Sequence, residues 1–135
     1  MGYANRPEGR VVLVVEDDPL LLLHSATVIE EAGFEVLEAH NADEAIVLLE
    51  ARKDIAIVFT DIEMPGSMDG LKLAKAVRER WPPVHLILAS GRTTPHPQEM
   101  PEGSRFFAKP WDSKHLVAAI AELAALPQSP DPSAN

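Results

Sequence analysis

Five short strand-like runs, each closed by a polar residue and followed by helical periodicity, constrain this chain more than any other feature. They are Val11-Val12-Leu13-Val14-Val15, residues 34–39, Ile55-Ala56-Ile57-Val58-Phe59, residues 84–89, and Arg105-Phe106-Phe107-Ala108. The first and third are continuously apolar, as strands buried on both faces are. Strands that alternate with helices cannot pair as hairpins; they line up in parallel through right-handed crossovers. The pattern predicts an α/β fold, a doubly wound parallel sheet of five strands with helices on both faces.

The connecting stretches carry their own start and stop signals. After Glu16-Asp17-Asp18, Pro19 is tolerated only in a helix's first turn, and a helical pattern runs over 20–32 with Gly33 as its stop. In that helix, His24 and the run Leu20, Leu21, Leu22 and Leu23 are assigned to helix and core. Asn41 is placed to cap a helix over 42–51, with Ala45, Ile46, Leu48 and Leu49 inward. Asp69 or Gly70 leads into a helix through Arg80, striped by Leu71, Leu73, Ala74 and Val77 and ended by Pro82-Pro83. Residues 92–103 hold Pro95, Pro97 and Pro101, so any fourth helix is short or missing. Ser113 is read as the cap of a last helix reaching Leu126, with Leu116, Val117, Ile120, Leu123 and Ala124 inward. The expected organisation is a flexible lead-in over 1–9, one folded domain over 10–126, and a disordered proline-rich tail over 127–135.

Composition narrows the function. A formal charge of −9 offers no basic surface for nucleic acid. The absence of cysteine excludes thiol nucleophiles and Cys-ligated zinc. His40, His85 and His115 lack ligand spacing and are read as surface or edge residues, while His96 lies near the strand ends without a required role. No apolar run reaches membrane length and no signal-peptide core is present, so the expected setting is cytoplasmic.

The residues that close the strands carry the chemistry. Glu16-Asp17-Asp18 follows the first, Asp61 the third, Ser90 the fourth and Lys109 the fifth. The carboxyl ends of parallel strands face one crevice, so acids, hydroxyl and lysine converge there. The second run ends blandly at Ala39-His40, as an edge strand outside the crevice would. Two carboxylates ~4 Å apart repel by about 4 kcal/mol at an effective dielectric of 20, which a hard divalent cation relieves. Neither a G-x-x-x-x-G-K-[ST] loop nor a G-x-G-x-x-G motif is present, so a phosphoryl group would arrive on another carrier. Asp can accept it as an aspartyl phosphate, while Mg²⁺ and Lys neutralise its oxygens and a Ser hydroxyl donates to one of them. Asp18 has a simpler reading, as the cap of the helix that Pro19 begins.

This ordered set resembles the receiver domain of two-component response regulators. The resemblance runs from about Val11 to Leu126 and is carried by V-V-E-D-D-P (14–19), T-D-I-E-M-P-G (60–66) with D-G (69–70), A-S-G (89–91) and F-F-A-K-P (106–110). It implies a flavodoxin-like sheet in the order 2-1-3-4-5. It further implies Asp61 as phosphoacceptor and metal ligand, Asp17 as direct ligand of Mg²⁺ or Mn²⁺, and Glu16 as a ligand through water. The Glu63 backbone carbonyl would be another ligand. Ser90 takes the switch hydroxyl position, Lys109 the phosphate-binding lysine, Phe106 the aromatic switch, and Pro110 a cis peptide. The implied donor is a histidine kinase or His-containing phosphotransfer protein, and the output a contact with an unidentified downstream protein, or onward phosphotransfer. Nucleic acid and membrane are not expected partners, and no oligomeric state follows from the pattern.

Two departures stand out. The loop Pro65-Gly66-Ser67-Met68-Asp69-Gly70 is one residue longer than the commonest form, and residues 90–109 are short and proline-rich. Glu63 and Arg92, each two residues beyond a site residue, are placed to pair across the crevice mouth and tune phosphate lifetime. Two rivals keep part of the pattern. A degenerate interaction module would keep the shape without the chemistry. An Asp-nucleophile phosphohydrolase would normally carry a second Asp where Glu63 stands, together with a cap for which the chain has no room. The initiating Met and polar tail favour a native single-domain protein over a piece of a hybrid kinase. The domain is not expected to be an enzyme beyond its own phosphorylation and slow dephosphorylation.

Overall fold

The computed structural model describes residues 10–66 and 68–126. The lead-in over 1–9, the tail over 127–135 and Ser67 of the lengthened loop lie outside the described residues. Strands β1 (Val11–Val15), β2 (Glu35–Ala39), β3 (Ile55–Asp61), β4 (His85–Ser90) and β5 (Arg105–Ala108) form one sheet. Its order is β2-β1-β3-β4-β5 and every pairing is parallel. Helices α1 (Pro19–Glu31), α2 (Ala42–Ala51), α3 (Gly70–Arg80) and α4 (Ser113–Ala125) fill the connections. The connection between β4 and β5 holds only a single 3-10 turn over Pro97–Glu99. Proline at 95, 97 and 101 removes the amide donors that a full helix there would need.

Side chains alternate across the sheet, and two cores result. Leu13, Val15, Val58, Leu86 and Leu88 pack beneath α2 and α3 with Leu49, Leu73 and Val77. Val12, Val14, Ile57, Phe59 and Ile87 pack on the other face with Leu22, Ile29, Leu116 and Ile120. The register slips between Val11 and Val12, which pair with Ile55 and Ile57. The extra residue, Ala56, shares the face of Ile57, as a bulge requires. Truncating Ile57 or Leu88, both fully buried, to Ala would cost about 2–5 kcal/mol.

Local chemistry sets the element ends. Gly33 has φ of +99°, and its N–H reaches Glu30 O at 2.9 Å while the Phe34 N–H reaches Ile29 O at 3.4 Å. This is the paired bonding of a left-handed helix stop, which glycine adopts without a Cβ penalty. Asn41 caps α2 by accepting the Glu44 N–H at 2.8 Å, and Asp69 caps α3 by accepting that of Lys72 at 2.9 Å.

The structure corrects two expectations. The cap of α4 is Asp112, whose side chain accepts the Lys114 N–H at 2.8 Å, and Ser113 is the first helical residue. Either residue type can cap, and Asp112 is the one whose extended backbone, φ −83° and ψ 126°, immediately precedes the first helical residue. Of the α1 residues 20–24 assigned to the core, only Leu22 is buried; Leu20 is 77% exposed, and Leu21, Leu23 and His24 also face solvent. Four consecutive residues wrap a helix entirely, so they cannot share its buried face.

Candidate functional site

The crevice is assembled from main-chain ties before any side chain enters it. Beyond β1, the Glu16 N–H donates to Ala39 O at 3.0 Å, holding Glu16 against the end of β2. Beyond β3, the Ile62 N–H donates to Ala89 O at 2.8 Å, and the Lys109 N–H donates to Ser90 O at 2.8 Å. The start of α3 presses on the same place. The Gly70 N–H reaches Ile62 O at 2.9 Å, and a Cβ at residue 70 would overlap the Asp61 carbonyl oxygen and crowd Ile62 Cα. Only glycine fits there, which gives the D-G pair a steric reason. Lys109–Pro110 is a cis peptide bond.

Carboxylate oxygens of Glu16, Asp17 and Asp61 lie within 4.8 Å of one another. Glu16 and Asp61 are buried and Asp17 is exposed. Lys109 Nζ sits 3.1 Å from Glu16 Oε1 and 3.1 Å from Asp61 Oδ2, bridging the two buried acids. Glu16 Oε2 accepts the Asp18 N–H at 3.2 Å. Asp18 itself caps α1, its Oδ1 accepting the Leu20 and Leu21 amides at 2.9 and 3.3 Å. Asp61 Oδ1 is buried without a hydrogen-bond partner among the described residues. An acceptor oxygen left open beside two further carboxylates suits a bound cation or an incoming electrophile. The residues present thus fit a hard divalent ion, whose ligands would be the oxygens of Asp17 and Asp61.

Burial raises the carboxyl pKa of Asp61. The Lys109 hydrogen bond and charge oppose that rise, and the charges of Glu63 and Asp17 add to it. Burial likewise raises Glu16, against hydrogen bonds from the Asp18 amide and Lys109. For Lys109, burial alone would favour the neutral amine, but the hydrogen bonds and charges of Asp61 and Glu16 raise its pKa above the ordinary lysine value.

Ser90 is buried at the end of β4 and donates to Glu63 Oε2 at 2.5 Å. The expected partnership of Glu63 with Arg92 is not what the loop makes. Glu63 instead accepts from Ser90, from Thr93 Oγ1 at 3.2 Å and from the Gly91 N–H at 3.3 Å. Arg92 is exposed, and its N–H donates to Ser90 Oγ at 3.2 Å. A turn of main chain around the serine therefore brings amide and hydroxyl donors to Glu63. Phe106 lies partly buried on β5 against the core beneath α2 and α3. His40 pairs with Glu44 at 3.0 Å, while His96 and His115 are exposed.

Two neighbours of the site were not singled out in the sequence. Trp111 stacks on His24 at 5.3 Å and meets Phe59 edge-on at 5.8 Å. It lines a small void together with Asp61, Glu16 and Lys109. It also borders an apolar cavity of about 300 Å³ with Leu21, His24 and Pro110. Its position directly after Lys109-Pro110 was the available signal. Thr93, three residues after Ser90, has the spacing of a serine-centred turn.

The family model described as "Response regulator receiver domain" matches residues 12–121. The chain belongs to the response regulator receiver domain family. It is 33% identical over 123 residues to the response regulator protein FleR of Pseudomonas aeruginosa, covering 87% of this chain and 26% of that protein. It is 32% identical over 117 residues to the hydrogenase transcriptional regulatory protein HoxA of Cupriavidus necator, covering 82% and 23%. The receiver domain thus spans about a quarter of the length of these two relatives. Among solved structures, a response regulator receiver protein from Sinorhizobium medicae superposes with a TM-score of 0.79 at 28% identity, covering 84% of this chain and 93% of that one. A receiver domain of this kind is a phosphoacceptor signalling module, and its acidic pocket fits Mg²⁺ and aspartate phosphorylation. Among the described residues no helix is long and apolar enough to cross a membrane.

Proposed function

We propose that Asp61 is the phosphoacceptor of this receiver domain and that a histidine kinase or His-containing phosphotransfer protein is its donor. The observation that carries the reading is the Asp61 carboxylate. Its Oδ2 is held 3.1 Å from Lys109 Nζ and its Oδ1 has no partner among the described residues. That buried oxygen has no hydrogen bond to give up when the site opens to a phosphoryl group. In the transfer, the Asp61 oxygen forms the new P–O bond as the P–N bond to the donor imidazole breaks, and the ring nitrogen takes the electron pair. Lys109 neutralises phosphoryl oxygens, and the Ser90 hydroxyl donates to another.

Asp17, Asp61 and the Glu63 backbone carbonyl would hold the divalent ion, with Glu16 reaching it through water. When bound, Mg²⁺ or Mn²⁺ supplies charge stabilisation for the phosphoryl oxygens. An aspartyl phosphate carries about two negative charges where the carboxylate carried one, and its oxygens draw Ser90 inward and let Phe106 follow. The changed surface then engages a downstream protein or passes the phosphoryl group on, in the cytoplasm.

The test is intact mass after incubation with Mg²⁺ and acetyl phosphate. A base-labile, acid-stable phosphoryl adduct is expected on the wild type and not on Asp61→Asn or in EDTA. No adduct from acetyl phosphate or from a phosphorylated histidine donor would overturn the reading in favour of an interaction module without phosphorylation.

A further inference from the structure

The Ser90 hydroxyl has one proton to donate, and that proton is already committed. It goes to Glu63 Oε2 at 2.5 Å, a charge-assisted bond of the short kind. The serine oxygen also accepts two amides of its own loop, Arg92 N–H at 3.2 Å and Thr93 N–H at 3.0 Å. Glu63 is held in turn by Thr93 Oγ1 at 3.2 Å and by the Gly91 N–H at 3.3 Å. Every hydrogen-bonding capacity of Ser90 is filled, and two of the three donors to Glu63 are hydroxyls.

We propose that Glu63 and Thr93 form a latch that competes with a phosphoryl group on Asp61 for the single proton of Ser90. The inference rests on Asp61 being the phosphoacceptor. A phosphoryl group there places between about 1.5 and 2 negative charges two residues from the Glu63 carboxylate. Both anions need the same donor, and a serine hydroxyl serves one strong acceptor at a time. The two anions also repel each other, so the phosphoryl group gains Ser90 only by displacing Glu63. The latch therefore holds the loop 90–93 in its unphosphorylated arrangement and weakens the phosphorylated one by whatever the Glu63 contact contributes. Arg92 takes part through its amide alone. Glu63 acts through Ser90 and is a positioning residue, distinct in this from its main-chain carbonyl, which substitution leaves in place.

The experiment is calorimetric titration of beryllofluoride, a non-covalent phosphoryl analogue, at saturating Mg²⁺. Wild type, Glu63→Ala, Thr93→Val, Ser90→Ala and the Glu63→Ala/Ser90→Ala double variant are compared. Glu63→Ala should tighten binding by about ten- to a hundredfold, the range of a hydrogen bond to a charged group. Thr93→Val, which removes one of three donors to Glu63, should tighten it less. In the Ser90→Ala background, Glu63→Ala should bring a clearly smaller gain, the part due to relieved charge repulsion alone. An equal gain there would mean that only charge repulsion is at work, and would overturn the latch. So would wild-type binding that Glu63→Ala leaves unchanged.

A wild type that binds no beryllofluoride overturns the acceptor reading and the competition with it. Amide exchange in the ligand-free protein tests the contact by itself. Glu63→Ala should speed exchange at Arg92 and Thr93, and unchanged exchange at both overturns the latch whatever the chemistry at Asp61.

Discussion

Replacing Lys109 by Met leaves two buried carboxylates facing each other without a cation. In the native site Nζ lies 3.1 Å from both Glu16 and Asp61, each only 7% exposed at the side chain. At an effective dielectric of 20, each attraction is worth about 5 kcal/mol, and the two acids within 4.8 Å repel by about 3.5 kcal/mol. Desolvation offsets much of the attraction, and removing one partner of a buried pair typically costs about 3–5 kcal/mol. A second limit applies, because the site can escape by taking up a proton. Protonating a carboxyl whose unfolded pKa is about 3.9 costs about 5 kcal/mol at pH 7.5 and about 1.5 kcal/mol at pH 5.

The sign follows from the folded pKa values. Burial already raises both Asp61 and Glu16, and losing Lys109 removes contributions that lower them. A carboxyl raised in the folded state destabilises the fold increasingly as pH rises from its unfolded pKa through its folded one. Lys109→Met is therefore expected to lose about 3 kcal/mol at pH 7.5 and no more than about 1.5 kcal/mol at pH 5. The assay is urea unfolding in EDTA at both pH values. Adding Asp61→Asn should restore at least half of the loss at pH 7.5. A deficit below about 1 kcal/mol at pH 7.5, or one that does not shrink at pH 5, would refute the electrostatic account.

Gly70→Ala should destabilise by about 1–3 kcal/mol or more and slow acetyl phosphate labelling, because its Cβ meets the Asp61 carbonyl; normal stability and labelling would refute this. His85 is partly buried with Nε2 unpartnered among the described residues, and burial, then the charges of Arg78 and Arg105, lower its pKa. Its contribution to stability is present above the unfolded value of 6.5 and lost as pH falls through the folded one. His85→Phe should flatten the fall in Tm between pH 7.5 and 5 that this residue causes, and parallel curves for both proteins would count against it. Asp112→Ala should cost about 1 kcal/mol in chemical unfolding while Ser113→Ala stays within about 0.5 kcal/mol, and the reverse order would return the cap to Ser113.

The sheet and the convergence of the candidate site residues were legible because both depend on short-range pattern. Continuous apolar runs between helical stretches leave few ways to pair, and parallel pairing sends every strand's carboxyl end to one side. The polar residues just beyond Val15, Thr60, Ala89 and Ala108 are Glu16, Asp17, Asp61, Ser90 and Lys109, so the strand ends alone collect the site. The prolines at 95, 97 and 101 announced the missing helix in the same way, since each removes an amide donor wherever it stands.

What the tertiary structure decided are matters of direction and partner. Leu20, Leu21 and Leu23 are as apolar as Leu22, and the packing of α1 on the sheet buries the one in line with Ala26 and Ile29. Asp112 and Ser113 are equally able caps, separated by one residue of chain path after a cis peptide. Glu63 carries the same charge whether it meets Arg92 or the hydroxyls of Ser90 and Thr93, and the turn of the 90–93 loop makes that choice. Trp111 lines the void beside Asp61 because the chain after β5 brings it against His24 and Phe59, residues far away in the chain. Composition and periodicity determine which side chains leave water and at which strand end charge collects. Which donor meets which acceptor depends on distances of a few tenths of an ångström, and those exist only once distant segments have packed.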